Sequence, residues 1–461
     1  MNRDELIRSL SVPLPEVIRL RRDSGDLEGA LRAADALLAD PDLPRMLRAR
    51  ILVEKERIRR LPEEFPDDRE EAFLKLKSCI PDLTEAEFSS LEDRNIFHWI
   101  PLNGEKRYYV RNAQLALKRP FLAARAGISG QPEDPWLDPM MEEIRSVGFL
   151  SCRYTVDASM QLRDPFEPGV YRAWLPFPAR SAQQSDIVLL EGEPDLISPP
   201  DAPARTAFWQ RHLDRWQDFR LRYAFTSVIR YADPLNAPAP SSPLYPDALP
   251  VSAEDLSEDP PFIRFTPYLR SLAESLLSGE TDPVRKAWRI YEFVTSRVSY
   301  SYMPNYFLVD DLGEYCASNL KGDCGLQALL FIVLCRLSGI PARWQSGLCI
   351  DSDGVGSHDW AQFWLPDWGW LFADPSFGGS ARRRGAADRH RFYFGNLDPA
   401  RVAANRIFEA ELDPVGEALR VDPYDSQKGE LERLGAPLPF SSGSFRTVYR
   451  AEFEKVPLPN P

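Results

Sequence analysis

Proline is the feature that most restricts this chain. It supplies 42 of 461 residues, about 9% against a usual ~5%. Each proline fixes its own φ and removes a backbone donor, so long helices and central strands are confined to the stretches between prolines. The densest stretch is 233–261, where Pro234, Pro238, Pro240, Pro243, Pro246, Pro250, Pro260 and Pro261 stand among Ala, Ser and Asp. That composition favours extended chain. Residues 234–261 therefore read as a linker, the alternative being a strap lying tightly against a domain surface. Elsewhere composition is ordinary: 44% apolar and 27% charged residues exclude wholesale disorder, collagen and coiled coil. The length suits about three domains.

The formal charge of −13 would repel a phosphate backbone, so nucleic acid is not an expected partner. The longest purely apolar run, Ala328 to Cys335, is eight residues, short of the ~20 that span a bilayer, and no membrane partner is expected. The start, Met1-Asn2-Arg3-Asp4-Glu5-Leu6, has none of the apolar stretch of a secretory signal. Six cysteines are scattered without a CxxC pair or metal-ligand spacing. They read as reduced thiols of a reducing compartment, so the cytoplasm is the expected location; with no metal-ligand spacing no metal is expected, and no cofactor is expected either.

From Asp4 to about Ala124 apolar residues recur at three and four residue intervals, as at Leu27, Ala30, Leu31, Ala34, Leu37 and Leu38. Residues 1–140 form a helical N-terminal region on this reading, a scaffold or partner-binding module with no concentration of catalytic residue types. Near Val147 the period changes. Phe149–Leu162, Val170–Leu175, Ile187–Leu190 and Phe219–Tyr231 are rich in β-branched and aromatic residues, which predicts a β-sandwich-like domain over 145–233. Beyond the proline-rich segment, Asp282-Pro283 is a cap followed by proline at the first helical position, and predicts a helix from Pro283 to Arg297.

Chemistry concentrates after Lys321. Gly322-Asp323-Cys324-Gly325 precedes a run of apolar residues closed by Gly339-Ile340-Pro341, which predicts a buried helix with Cys324 in its first turn. The positive end of the helix would lower the thiol pKa, and its free N–H groups could donate to an oxyanion. A small buried apolar residue is the plainer reading of such a cysteine. Two strands follow, 342–350 and 357–365, with a turn at 351–356 between them, and His358 opens the second. A four-residue turn, Pro366-Asp367-Trp368-Gly369, leads into a third strand that ends at Asp374-Pro375. A thiol nucleophile needs a base, and the base needs a carboxylate to fix its tautomer. Cys324, His358 and Asp374 supply the three.

Together these blocks resemble the transglutaminase-like superfamily of papain-like thiol enzymes: Gly322-Asp323-Cys324, Gly339-Ile340-Pro341-Ala342-Arg343, His358-Asp359-Trp360, Gly369-Trp370 and Asp374-Pro375, all in order. The resemblance covers about 100 residues, Pro283 to Pro375, and Trp174-Leu175-Pro176-Phe177-Pro178 is loosely similar to a β-domain that precedes the core in some bacterial members. It implies Cys324 as nucleophile, His358 as acid/base and Asp374 as orienting carboxylate. Asp359 departs from the alanine common there; strand alternation would turn it to the opposite sheet face. The four-residue turn would set Asp374 opposite Ala361, so its contact with His358 would need a bulge or strong twist.

A second oxyanion donor is open among Tyr302, Asn305 and Asn319, with Tyr302 as the candidate. Arg382-Arg383-Arg384 with Arg389, His390 and Arg391 is the main basic cluster, a solvated loop or a guide for an acidic partner. The expected fold class is α+β: a transglutaminase-like (papain-like) catalytic domain with C-terminal extension over 262–461, preceded by the sandwich and the helical region. The expected activity is attack on an amide of a peptide or protein substrate through a cysteinyl acyl-enzyme. Hydrolysis is favoured over transamidation because no amine pocket is marked; a non-catalytic scaffold is the rival of a different class. Nothing in the sequence sets the oligomeric state.

Overall fold

The computed structural model describes residues 3–128, 135–351, 354–417, 419–422, 424, 427–436 and 443–458. Residues 352–353, within the turn expected at 351–356, lie outside the described residues. The chain divides into two compact units. One is Met1–Glu133 with Tyr300–Asp310, the other Asp134–Ser299 with Asp311–Pro461.

The first unit is built on helices, including α1 (Leu27–Leu38), α2 (Arg45–Glu64), α3 (Arg69–Cys79) and α4 (Glu85–Asp93). Local chemistry starts them: Asp26 accepts from the Gly29 amide at 2.8 Å, and α3 and α4 open with reciprocal capping boxes, Asp68 with Glu71 and Thr84 with Glu87. A hairpin of β1 (Trp99–Leu102) and β2 (Glu105–Tyr108) interrupts the helical stretch that the periodicity suggests. Within α2, Glu54 is fully buried and binds Arg22 at 2.6 Å, Arg50 at 2.7 Å and Arg57 at 3.1 Å. Arg57 also donates to the Phe307 carbonyl at 2.7 Å and pairs with Asp310 at 2.7 Å, so this charge cluster holds the distant segment 300–310 in the unit.

In the second unit a sandwich of two antiparallel sheets is formed by β3 (Phe149–Leu162), β4 (Gly169–Pro176), β5 (Gln184–Glu191), β6 (Leu196–Ile197), β7 (Thr206–Leu213) and β8 (Phe219–Arg230). A five-stranded sheet follows from β9 (Ala342–Asp351), β10 (Gly354–Leu365), β11 (Gly369–Ala373), β12 (Phe394–Gly395) and β13 (Arg401–Asn405), in the order β12-β11-β10-β9-β13. The last strands, β14 (Glu430–Arg433) and β15 (Phe445–Lys455), return to the sandwich. They complete sheets ordered β14-β4-β7-β6 and β15-β3-β8-β5. The C-terminal extension thus supplies sandwich strands rather than following the five-stranded sheet as a tail, and segment 300–310 belongs to the first unit. The boundaries 145–233 and 262–461 differ from the observed organisation at these two points.

Three helices of this unit bear on the site: α5 (Pro283–Arg297), α6 (Cys324–Leu337) and α7 (Pro375–Arg383). Asp282 caps α5 as its sequence predicts, accepting from Val284 N–H at 3.0 Å. Gly339, at φ +79, turns the chain out of α6 in a conformation that a side chain would oppose. The proline-rich segment is packed, not loose. Tyr245 is buried, accepts from the Arg230 amide at 2.9 Å and stands edge-on to Phe372, while Trp370 donates to the Leu249 carbonyl at 2.8 Å.

Burial alone would raise the Glu54 pKa, but Arg57, Arg22 and Arg50 outweigh it and hold the carboxyl below its usual range. Its contribution to stability is therefore full above the unfolded carboxyl value of ~4.3 and is lost as pH falls below it. Glu54→Gln removes the carboxylate shared by Arg22, Arg50 and Arg57, with Arg57 keeping Asp310. We expect it to destabilise the first unit by about 3–5 kcal/mol at neutral pH and to flatten its acid transition, measured by denaturant melts between pH 3 and 7.

Candidate active site

Asp323 caps α6, accepting from the Leu326 amide at 3.2 Å, and Cys324 is the first helical residue. Residues 325–335 are all buried, so the helix cannot shift without exposing apolar surface. It lies on β10, where Phe331 of the helix is edge-on to Phe363 of the strand at 5.6 Å. Side chains alternate along a strand, so Asp359, Ala361 and Phe363 share the row that faces α6.

The Cys324 thiol accordingly donates to Asp359 Oδ2 at 3.2 Å. Asp359 is 3% exposed, and its row is the one that faces α6 and the Cys324 thiol. Among the described residues no hydrogen bond joins Cys324 to His358. The expected lowering of the thiol pKa is also overturned. Burial, then the negative charges of Asp359 and Asp323, push the thiol well above its ordinary range.

His358 is joined to Asp374 instead. Its Nε2 lies 2.7 Å from Asp374 Oδ2. No bulge is required, because Leu365 pairs with Gly369, so the turn is three residues, 366–368, and Ala361 pairs with Ala373. Asp374 therefore falls opposite Trp360 and diagonal to His358 on the same face, within reach of a long side chain. Asp374 also caps α7: its Oδ1 accepts from the Phe377 amide at 2.8 Å. Arg401, 1% exposed, pairs with Asp374 at 3.2 Å and with Asp398 at 2.6 Å. Burial would raise Asp374, yet His358, Arg401 and the Phe377 N–H prevail and hold it below the carboxylate range. An ionised Asp374 accepts from Nε2–H, so in the neutral ring Nδ1 is left as the basic nitrogen.

Gln427 closes the back of the strand. Its amide nitrogen donates to the His358 carbonyl at 2.8 Å and to Asp359 Oδ1. Arg401, Asp398, Gln427 and the thiol contact of Asp359 were not legible from spacing. The one signal for Arg401 is an arginine opening an otherwise apolar run, Arg401-Val402-Ala403-Ala404. Tyr302 belongs to the segment 300–310 of the first unit, where its ring lies under the Arg111 guanidinium at 3.7 Å. In the basic cluster, Arg389 pairs with Asp138 at 2.5 Å, and His390 is buried beside Thr295 at 3.0 Å.

The Cys324 proton is thus held on sulfur. Alkylation of Cys324 by iodoacetamide, mapped by mass spectrometry, should be slow near neutral pH and reach half its maximal rate above ~8.5, the value of a free cysteine. A half-maximum below that value would contradict the carboxylate-lined setting of the thiol.

Comparison with known proteins agrees with the motif blocks. Residues 270–375 match the family model described as "Transglutaminase-like superfamily". A search of the curated proteins finds no match to the chain. Among solved structures, it is similar to a "Putative Cysteine Protease" from Cytophaga hutchinsonii, at 13% identity and TM-score 0.43, covering 68% of this chain and 93% of that one. It is also similar to the periplasmic domain of TgpA from Pseudomonas aeruginosa, at 16% identity and TM-score 0.28, covering 55% of this chain and 96% of that one. The family model, together with the Cys324, His358 and Asp374 blocks it spans, identifies residues 270–375 as a transglutaminase-like domain.

Proposed function

We propose that the protein is a thiol enzyme that acts on amide bonds through an acyl-Cys324 intermediate. The observation that carries this reading is the His358–Asp374 pair, an imidazole held by a buried ionised carboxylate at 2.7 Å, one residue along β10 from the residue that binds the Cys324 thiol. In the reaction the thiol hydrogen bond moves from Asp359 to His358 Nδ1, which takes the proton as sulfur attacks the amide carbonyl carbon. His358 then returns that proton to the departing amine, and the acyl group passes to an acceptor. Hydrogen bonds of this kind commonly form only once substrate is bound. The α6 N-terminus offers one oxyanion donor.

We favour water as acceptor and a peptide or isopeptide-type amide of a protein as substrate. Water is abundant at ~55 M, whereas transamidation needs a site that holds the amine, worth several kcal/mol of proximity. A second reading, a binding scaffold of the same fold, is favoured by one observation: the thiol proton is held at Asp359, in a setting that raises the thiol pKa.

The two readings separate on an activated acyl ester. An enzyme gives a mass increase on Cys324 that turns over; His358→Ala should slow its formation by about 10²- to 10⁴-fold, read on protein that circular dichroism shows to be folded. With millimolar primary amine present, free acid should exceed amide product. No acylation of Cys324 would favour the scaffold, and dominant amide product would favour the transferase.

A further inference from the structure

We propose that Asp359, set by Gln427, restrains the nucleophile: it holds the Cys324 thiol in a resting hydrogen bond, and the thiol becomes reactive only when that bond is released toward His358. The proposal rests on the reading of Cys324 as the nucleophile and deepens it.

Three contacts make the arrangement. The thiol donates to Asp359 Oδ2 at 3.2 Å. The other carboxylate oxygen, Oδ1, accepts from the Gln427 amide nitrogen, which also donates to the His358 carbonyl at 2.8 Å. One side chain thus spans two successive residues of β10 and aims the second carboxylate oxygen at sulfur. Gln427 is itself held, because its main-chain carbonyl accepts from the hydroxyl of Tyr449, on β15, at 3.0 Å. Asp359 and Gln427 are both buried, so water does not compete for these bonds.

A carboxylic acid is ionised about four to five pH units below a thiol. The proton between Cys324 and Asp359 therefore stays on sulfur, and Asp359 cannot serve as the base that activates it. The charges facing the thiol are the carboxylates of Asp359 on β10 and Asp323 at the cap of α6, and both disfavour a thiolate. His358, next to Asp359 in the strand, is the group with a basic nitrogen not engaged by Asp374. Activation is then an exchange of partners: the S–H bond turns from Asp359 to Nδ1, and its proton passes to the imidazole.

The test is the pH profile of Cys324 alkylation by iodoacetamide in the full chain, with Cys79 in the same sample as reference thiol. Asp359→Asn should raise the Cys324 rate at pH 7 about tenfold and move the half-maximum down by about one pH unit. Asp359→Glu, which keeps the charge, should stay near the parent, and Gln427→Ala should shift in the same direction as Asn but less. Cys79 should be unchanged throughout. An Asn variant whose midpoint stays at the parent value overturns the restraint. If that variant does not fold, an unmoved Gln427→Ala profile overturns it equally. Because the readout is thiol ionisation, it separates from the functional reading. A shifted Asn profile supports the restraint even where His358→Ala leaves acylation of Cys324 intact, an outcome that would remove His358 from the reaction alone.

Discussion

The carboxylate of Asp374 is the point on which the candidate site depends. It is fully buried, and taking such a charge out of water costs several kcal/mol unless its lone pairs are met. They are met from three directions: the Phe377 amide at the start of α7, the His358 ring on β10, and the Arg401 guanidinium on β13. Arg401 is in turn answered by Asp398, whose carboxylate also accepts from the Tyr393 hydroxyl at 2.9 Å and the Ala400 amide at 3.0 Å. A shift of any one of these elements leaves a charge buried without its partner. The position of the imidazole is therefore a consequence of the same bonds that fix the end of β11 and the start of α7.

The Cys324 thiol sits under opposing influences, and magnitude decides between them. A helix N-terminus favours an adjacent anion by roughly 0.3–1 kcal/mol. A carboxylate at 3.2 Å opposes it by an amount on the order of several kcal/mol even at an effective dielectric near 20. The carboxylate wins, and burial adds to it, so the thiol is held protonated although it opens a helix. Position on a helix predicts thiol chemistry only when the facing strand carries no like charge.

What could be read from the residues was whatever local signals control. Asp282-Pro283 marks the start of α5, and Asp323 with Gly339 brackets α6, because caps and terminators act over three or four residues. The identity of His358 and Asp374 as partners was legible from residue type and order. Their geometry was not: counting Gly369 within the turn misplaced the register by one residue, and a single step reverses the face of every side chain beyond it. The same sensitivity hid Asp359, whose row is set by how α6 settles on β10. Strand β7, which includes Trp209, lacks a strong alternation in burial, with Thr206 to Trp209 all buried, so period-2 patterning did not find it. Arg401 escaped because an ion pair between side chains far apart in the chain leaves no spacing to detect.

The C-terminal strands change what counts as the scaffold of the candidate site. β15 pairs with β3 along its whole length, from Phe445 opposite Leu162 to Lys455 opposite Cys152. Such a ladder forms cooperatively across its backbone bonds, and neither strand offers those groups a partner by itself. From β15, Tyr449 holds the Gln427 carbonyl and Thr447 donates to the Lys428 carbonyl, and Gln427 reaches the His358 carbonyl and the Asp359 carboxylate. The first residues of β10 are thus braced by a sandwich edge whose other strand begins at Phe149. Residues 270–375 contain Cys324, His358 and Asp374, but the orientation of Asp359 toward sulfur is set by chain on both sides of them, so the sandwich and the thiol region are physically one scaffold although the family motif spans only the latter.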